Sequence, residues 1–207
     1  MDRSIWVLSS VIDPAREAAY LDWYRDAHIP EKLARPGYAW AAYYRALKGE
    51  RHIAAFGALD VGAFLAPTPG QLKQRQDALT RDMMSARSGT SSGVFTEALR
   101  VAGPKAGTRS PGICTAPFIR YAHFDLPDAA AEDAAGAWVA QQRFPQLAAS
   151  PGLLGARFML SALGVGKYML LEEYASEDAL RNEPAAFPSG AVHLAGSPFE
   201  GRRTTPA

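Results

Sequence analysis

An α+β fold made of two tandem β-α-β-β-α-β units is what this 207-residue sequence predicts. Three observations carry the prediction. A shift of 115 positions lays residues 6–65 on residues 121–180 without a gap: Asp13 falls on Asp128, Glu17 on Glu132, Trp23 on Trp138, Pro30 on Pro145, Pro36 on Pro151, Gly37 on Gly152 and Gly49 on Gly164. Tryptophan occurs only four times in the chain, so a matched pair sharing its offset with proline and glycine pairs marks a true internal repeat. Each copy then alternates strand-like and helix-like apolar spacing. Finally, the stretch GPKAGTRSPGIC (103–114) has the Gly, Pro and Ser content of a linker. The predicted division is a first repeat over 1–102, a linker over 103–114 and a second repeat over 115–207.

The elements follow in order. Ile5 to Val11 is a short apolar, β-branched strand. Asp13-Pro14 opens a helix, with Asp as N-cap and Pro in the first helical position. Ala19, Tyr20, Trp23, Tyr24 and Ala27 recur at helical spacing, and Pro30 is expected to stop the helix. Pro36-Gly37 turns the chain into a strand over Tyr38 to Ala46, and a turn near Gly49 leads to a third strand, Ile53 to Leu59. A helix broken by Pro67 and Pro69 resumes from Gln71 to about Ser85, and Val94 to Val101 is the fourth strand. In the second copy the strands fall at Leu153–Leu160, Tyr168–Tyr174 and Phe199–Thr205. This order is the split βαβ, or ferredoxin-like, unit. Its four-stranded sheet carries helices on one face and leaves the other bare, so two copies packed sheet to sheet as a pseudo-dimeric α+β barrel would cover each other.

Composition narrows the function classes. Lys and Arg total 22 against 21 Asp and Glu, a net charge of +1, and the cations are scattered. Binding to nucleic acid needs a cluster of them, so no nucleic-acid partner is expected. The single cysteine, Cys114, permits neither an intrachain disulfide nor a cysteine zinc site. The four histidines, His28, His52, His123 and His193, lack metal-ligand spacing, so no metal is expected. No P-loop, dinucleotide fingerprint or nucleophile elbow is present, and no cofactor is called for. The apolar run at the N-terminus is too short for a leader, and no stretch is long enough to span a bilayer. The expectation is a cytoplasmic protein with no membrane contact, a small molecule as its partner, and a homodimer left open.

The stretch DPAREAAYLDWYRDAHIPEKLARPGY (13–38) resembles the EthD-like members of the dimeric α+β barrel superfamily, with an aromatic-rich first helix, a His-x-Pro at its end and a Pro-Gly before the second strand. KYMLLEEYASEDAL (167–180) is similar to the third strand and following helix of that group. The resemblance implies the barrel fold. It spans cofactor-independent oxygenases, lactone isomerases, polyketide cyclases and haem-handling proteins, so it assigns no single reaction.

Two sets of residues are candidates for chemistry. His28 sits beside Tyr20, Trp23 and Tyr24, and an imidazole there can move a proton near neutral pH, with Tyr24 assisting and Tyr20 contacting substrate. The resemblance implies that His28 faces the barrel cavity. The alternative is a helix-end histidine that satisfies the last carbonyls. In the second copy His28 becomes Arg143, Tyr24 becomes Val139 and Tyr20 becomes Ala135, which places any such site in the first copy. On the strands, alternation puts Arg120 on one face and His123 on the other, with Arg157, Trp40 and Tyr44 on neighbouring strands. An inward arginine could hold a carboxylate, although an edge charge facing water fits Arg120 as well. Two functions remain open. One is a cofactor-independent enzyme doing proton-transfer chemistry, of isomerase, cyclase or dehydratase type, on a small aromatic, lactone or polyketide-like substrate. The other is a non-catalytic binder of a small apolar ligand, with haem among the candidates.

Overall fold

The computed structural model describes residues 2–108 and 116–205. Part of the expected linker, Cys114 included, lies outside the described residues. Nine strands form the sheet: β1 (Ser4–Ile12), β2 (Tyr38–Ala46), β3 (Arg51–Ala58), β4 (Arg87–Ala102), β5 (Phe118–Asp125), β6 (Leu153–Gly164), β7 (Tyr168–Tyr174), β8 (Val192–His193) and β9 (Phe199–Thr205). Their order is β7-β6-β4-β1-β3-β2-β9-β5-β8, and β7 also pairs with β5. Eight antiparallel strands therefore close into a barrel, with β8 a short addition to β5. Within 4–102 the order is β4-β1-β3-β2, and within 118–205 it is β9-β5-β7-β6.

The expected α+β barrel is present: the two four-stranded sheets are hydrogen-bonded edge to edge, through β4–β6 and β2–β9. The seams remove the free edges that two stacked sheets would leave. The barrel interior is filled by residues from both halves, among them Ile5, Val7, Trp40, Phe95, Tyr121, Met159, Met169 and Leu171. The void left among Ile5, Val7, Trp40, Tyr121 and Leu171 is about 10 Å³, room for one water at most. Two further cores lie between the sheet and its outer helices, one in each half.

The first helical arm runs through α1 (Glu17–Trp23), a π-helical turn (Tyr24–His28) and α2 (Ile29–Leu33). Pro30 does not end it, contrary to the sequence expectation. The preceding backbone has already switched to a wider turn, in which the Ile29 N–H donates to the Tyr24 carbonyl. Proline then enters the first turn of a fresh helix, where no N–H is missed. Asp13 caps only a turn, accepting from the Ala15 N–H at 3.0 Å, and α1 starts at Glu17. Next come α3 (Gly62–Leu65), α4 (Pro69–Gln74), with a Thr68–Gln71 capping box, and α5 (Ala78–Ser85), capped by Asp77. In the second half, α6 (Ala129–Trp138), a π-helical turn (Val139–Arg143) and α7 (Phe144–Ala149) repeat the first arm, and α8 (Glu177–Asn182) follows β7.

The two π turns are separated by the same 115 residues as the sequence repeat, so that offset holds in the helical arm. It fails in two strands. Ala41 of β2 pairs with Phe56, and Ala156 of β6, 115 residues on, pairs with Glu172 rather than Leu171. Phe56 in turn lies opposite Trp6, and Glu172 opposite Arg120. The register has slipped by one residue in β5 and by one in the other sense in β7, and a one-residue slip moves every side chain to the other face. Arg120 therefore occupies the place of Trp6, and Glu172 that of Phe56.

Candidate functional site

His28 is the last residue of the π turn, and the wider turn directs its ring inward. It is 5% exposed, with its centroid 4.7 Å from that of Trp23 and 4.9 Å from that of Tyr24. Tyr24 packs in turn against Tyr20 and Tyr43. Burial pushes the imidazole down to about 3, and the charges of Lys32 and Arg87 push the same way, while Glu31 opposes them. The 3.5 Å approach of Nδ1 to the Glu31 carboxylate is thus a contact of a neutral ring and not an ion pair, and Nδ1 is buried without a hydrogen-bond partner. Burial raises Tyr20 to about 12 and raises Tyr24 and Tyr43 above the usual phenol range, so all three phenols stay protonated. The Tyr43 hydroxyl has no partner either.

A cavity of about 400 Å³ opens beside His28, between the outer face of the first half's sheet and the helices α2, α4 and α5. Trp6, Phe56, Leu8, Leu72 and Met84 supply apolar walls, and Trp6 is fixed by donating to the Ser92 hydroxyl at 2.9 Å. Lys32, Lys73 and Arg87 also line it, and none of its lining residues is acidic. A second cavity of about 280 Å³ shares His28, Lys32, Leu72 and Gln76 as a common wall. Lys32 lies one helical turn beyond His28, is buried, and touches Glu31 only at 3.3 Å or more. Burial lowers its ammonium below the usual lysine range. The volume and mixed lining suit a small flat ligand.

This location differs from the expected one. The site lies outside the barrel, under the helices, because the barrel interior is filled. Of the expected site residues, His28, Tyr24 and Tyr20 come together; Tyr44, Trp40, His123, Arg157 and Arg120 do not join them. Tyr44 donates to the Ala116 carbonyl at 3.1 Å inside the barrel. Trp40 and Arg157 both donate to the Asp2 carboxylate, at 2.8 and 2.7 Å. His123 faces Phe95 and Tyr121 on the barrel side and approaches the Gly166 carbonyl at 3.4 Å. Arg120 is neither a substrate arm nor a solvent-facing edge charge. It donates to Glu172, Glu200, Tyr174 and the carbonyls of Leu180 and Glu183, which uses all five of its N–H groups.

That network explains the asymmetry between the halves. Arg143, in the place of His28, is 1% exposed and donates to Glu172 at 2.6 and 2.9 Å and to Glu183 at 2.8 Å. Ions thus fill, in the second half, the space that Trp6, Phe56 and His28 border as a cavity in the first. A further cavity of about 460 Å³ lies at the β2–β9 seam, bordered by Lys48, Arg51, Arg120, Arg181 and Glu200; of these, Arg120 has no donor to spare. Among the described residues, no group of three His, Cys, Asp or Glu side chains could hold a metal ion. No helix among them is long and apolar enough to cross a membrane.

Sequence reasoning missed Lys32 and Arg87. Lys32 was within reach, because His28 and Lys32 are four apart on one helical face. Arg87 was hidden: the stretch SGTSSG that follows it reads as a loop, yet it continues β4 from Arg87.

No family model matches this sequence, and no curated protein matches it. Solved structures do. A candidate monooxygenase from Fusobacterium nucleatum superposes with a TM-score of 0.62 at 11% identity, over 98% of this chain and 92% of that one. An anthrone oxidase-like protein gives 0.60 at 12%, over 98% and 91%. A haem-binding protein from Thermus thermophilus gives 0.51 at 11%, over 98% and 92%. At these identities the likeness is one of fold, an eight-stranded antiparallel barrel with outer helices, here closed within one chain.

Proposed function

We propose that the first half is the working half, an EthD-like unit of a tandem ferredoxin-like pair divided at 1–102, 103–114 and 115–207, and that it carries out cofactor-independent proton transfer on a small aromatic or polyketide-like substrate. The observation that supports this most is a neutral, buried imidazole with an unpartnered nitrogen, beside an apolar cavity of about 400 Å³ that also holds an ammonium. The substrate lies flat between Trp6, Phe56 and Leu72. His28 accepts a proton from an acidic C–H or O–H, and Lys32 stabilises the enolate or phenolate that forms, since a cation in a dry site favours a developing oxyanion. Its basicity is low in the empty site, and a bound anionic oxygen would raise it. Tyr24 positions the imidazole by packing.

The residues fit a haem poorly. An axial histidine must meet the iron with a broad flat macrocycle beside it, whereas Trp23 and Tyr24 pack at 4.7 and 4.9 Å from this ring, which leaves room beside it for a small substrate only. A thermal-shift screen of hydroxylated aromatics and lactones tests the proposal, because ligands of the native state raise its melting temperature. Hits should be lost in Trp6→Ala and turned over only with His28 intact. Hits that survive Trp6→Ala unchanged would place the ligand elsewhere.

A further inference from the structure

Resting on that reading of the cavity, we infer that Arg87 is its specificity-determining residue and that the substrate is an anion, with a carboxylate or equivalent acidic oxygen pair seated on the Arg87 guanidinium. Three arginines are buried, and each meets carboxylates: Arg120 meets Glu172 and Glu200, Arg143 meets Glu172 and Glu183, and Arg157 meets Asp2. Arg87 is half-buried at the start of β4 and lines the cavity. Among the described residues it makes no ion pair; its guanidinium meets the Tyr20 hydroxyl, and its Nε is buried without a hydrogen-bond partner. A guanidinium that lines a cavity, with one N–H shut off from water and from protein acceptors, is placed to receive an anionic oxygen.

The neighbours do not supply the missing charge. Arg87 stands among the phenols of Tyr20, Tyr24 and Tyr43, all neutral, and beside His28. Lys32, whose ammonium meets Glu31 at 3.3 Å, and Lys73 add two further cations to the same wall, and no carboxylate lines the cavity. The cavity is thus a flat apolar slot with a positive end. Guanidinium offers a planar pair of donors that matches a carboxylate, which a lysine cannot imitate. An aromatic acid whose ring lies between Trp6 and Phe56 and whose carboxylate reaches Arg87 satisfies both features, and it leaves the reacting position beside His28 and Lys32.

The test is isothermal titration with benzene, naphthalene and anthracene carboxylates, each paired with its neutral carboxamide. Wild type should bind at least one acid about tenfold or more tighter than its amide, as expected of a charge-assisted pair. Arg87→Gln should remove the preference by weakening the acid alone, and Arg87→Lys should restore only part of it. The Arg87→Gln melting temperature should be no lower than wild type, because the residue closes no ion pair, whereas Arg143→Gln should melt well below it. Equal binding of acids and amides would overturn the anion inference while keeping the cavity. Binding of none would overturn both. A marked loss of melting temperature in Arg87→Gln would make the residue structural and sink the inference.

Discussion

His28 should be silent where histidines ordinarily titrate. Its folded value is about 3, lowered first by burial and then by Lys32, against ~6.5 in the unfolded chain. Between those values the unfolded chain binds the proton and the folded chain does not, so stability rises with pH across the window and is lost as pH falls through it. Fully developed, this is on the order of 3–5 kcal/mol. His52, His123 and His193 are lowered in the same direction, also by burial, so the readout is the difference between two proteins. His28→Gln should flatten the dependence of melting temperature on pH between about 6.5 and 3 relative to wild type. Identical slopes would mean that the ring is solvated. Turnover, for the same reason, should show no acid limb near pH 6.5, and a limb there that vanished in His28→Gln would contradict the buried, neutral imidazole.

The helical arm is the element on which the two halves can be compared most directly, since both keep the π turn before a proline and differ in what that turn presents. In the second half it presents Arg143 to Glu172 and Glu183, and removing one member of a buried ion network leaves the others uncompensated. Arg143→Ala should therefore cost about 3–5 kcal/mol in a denaturant titration, with a far smaller effect on activity than His28→Ala. Trp23, packed beneath the same arm in the first half, should cost a similar ~3–5 kcal/mol as Trp23→Ala; its counterpart Trp138 is only half-buried and should cost less. A loss below about 1 kcal/mol at Trp23 would count against its burial. The Pro-Gly turns, the span of β9 and the helical character of the arm were legible in the sequence, although the arm starts at Glu17 and not at Asp13, and Pro30 does not end it. The slips in β5 and β7 were not. The first half's β3, RHIAAFGA, is apolar on both faces, because one packs into the barrel and the other under helices. Without alternation nothing in the sequence says which face a residue takes. His28, Tyr24 and Tyr20 were legible as a group because they share one helical face. Arg87 was not, since what makes it a site residue is the absence of a counter-ion, a property of the folded whole.

At the scale of the molecule, the question is whether the halves are independent. Each contributes its own core beneath its helices, but the central core is shared: Ile5, Val7, Trp40 and Phe95 pack in one cluster with Tyr121, Met159, Met169 and Leu171. The seams add main-chain hydrogen bonds along β4–β6 and β2–β9. Neither half could leave without exposing an apolar sheet face and two strand edges, and such faces and edges are sites of aggregation. Polar ties cross the same boundary, since Arg157 of the second half donates to Asp2 at the start of the first. We therefore expect one cooperative unfolding transition for the whole chain, with calorimetric and van't Hoff enthalpies equal, and we expect the fragment 1–102 expressed alone to aggregate or pair with a second copy of itself. Two resolved transitions, or a fragment that stays monomeric in light scattering with a sharp melt of its own, would show that the barrel is two domains in contact and not one folding unit. The outcome bears on the site. If the halves fold as one, the second half's ion network stabilises the sheet from which Trp6, Phe56 and Arg87 project, and Arg143→Ala should weaken ligand binding only at temperatures where it also begins to unfold the chain.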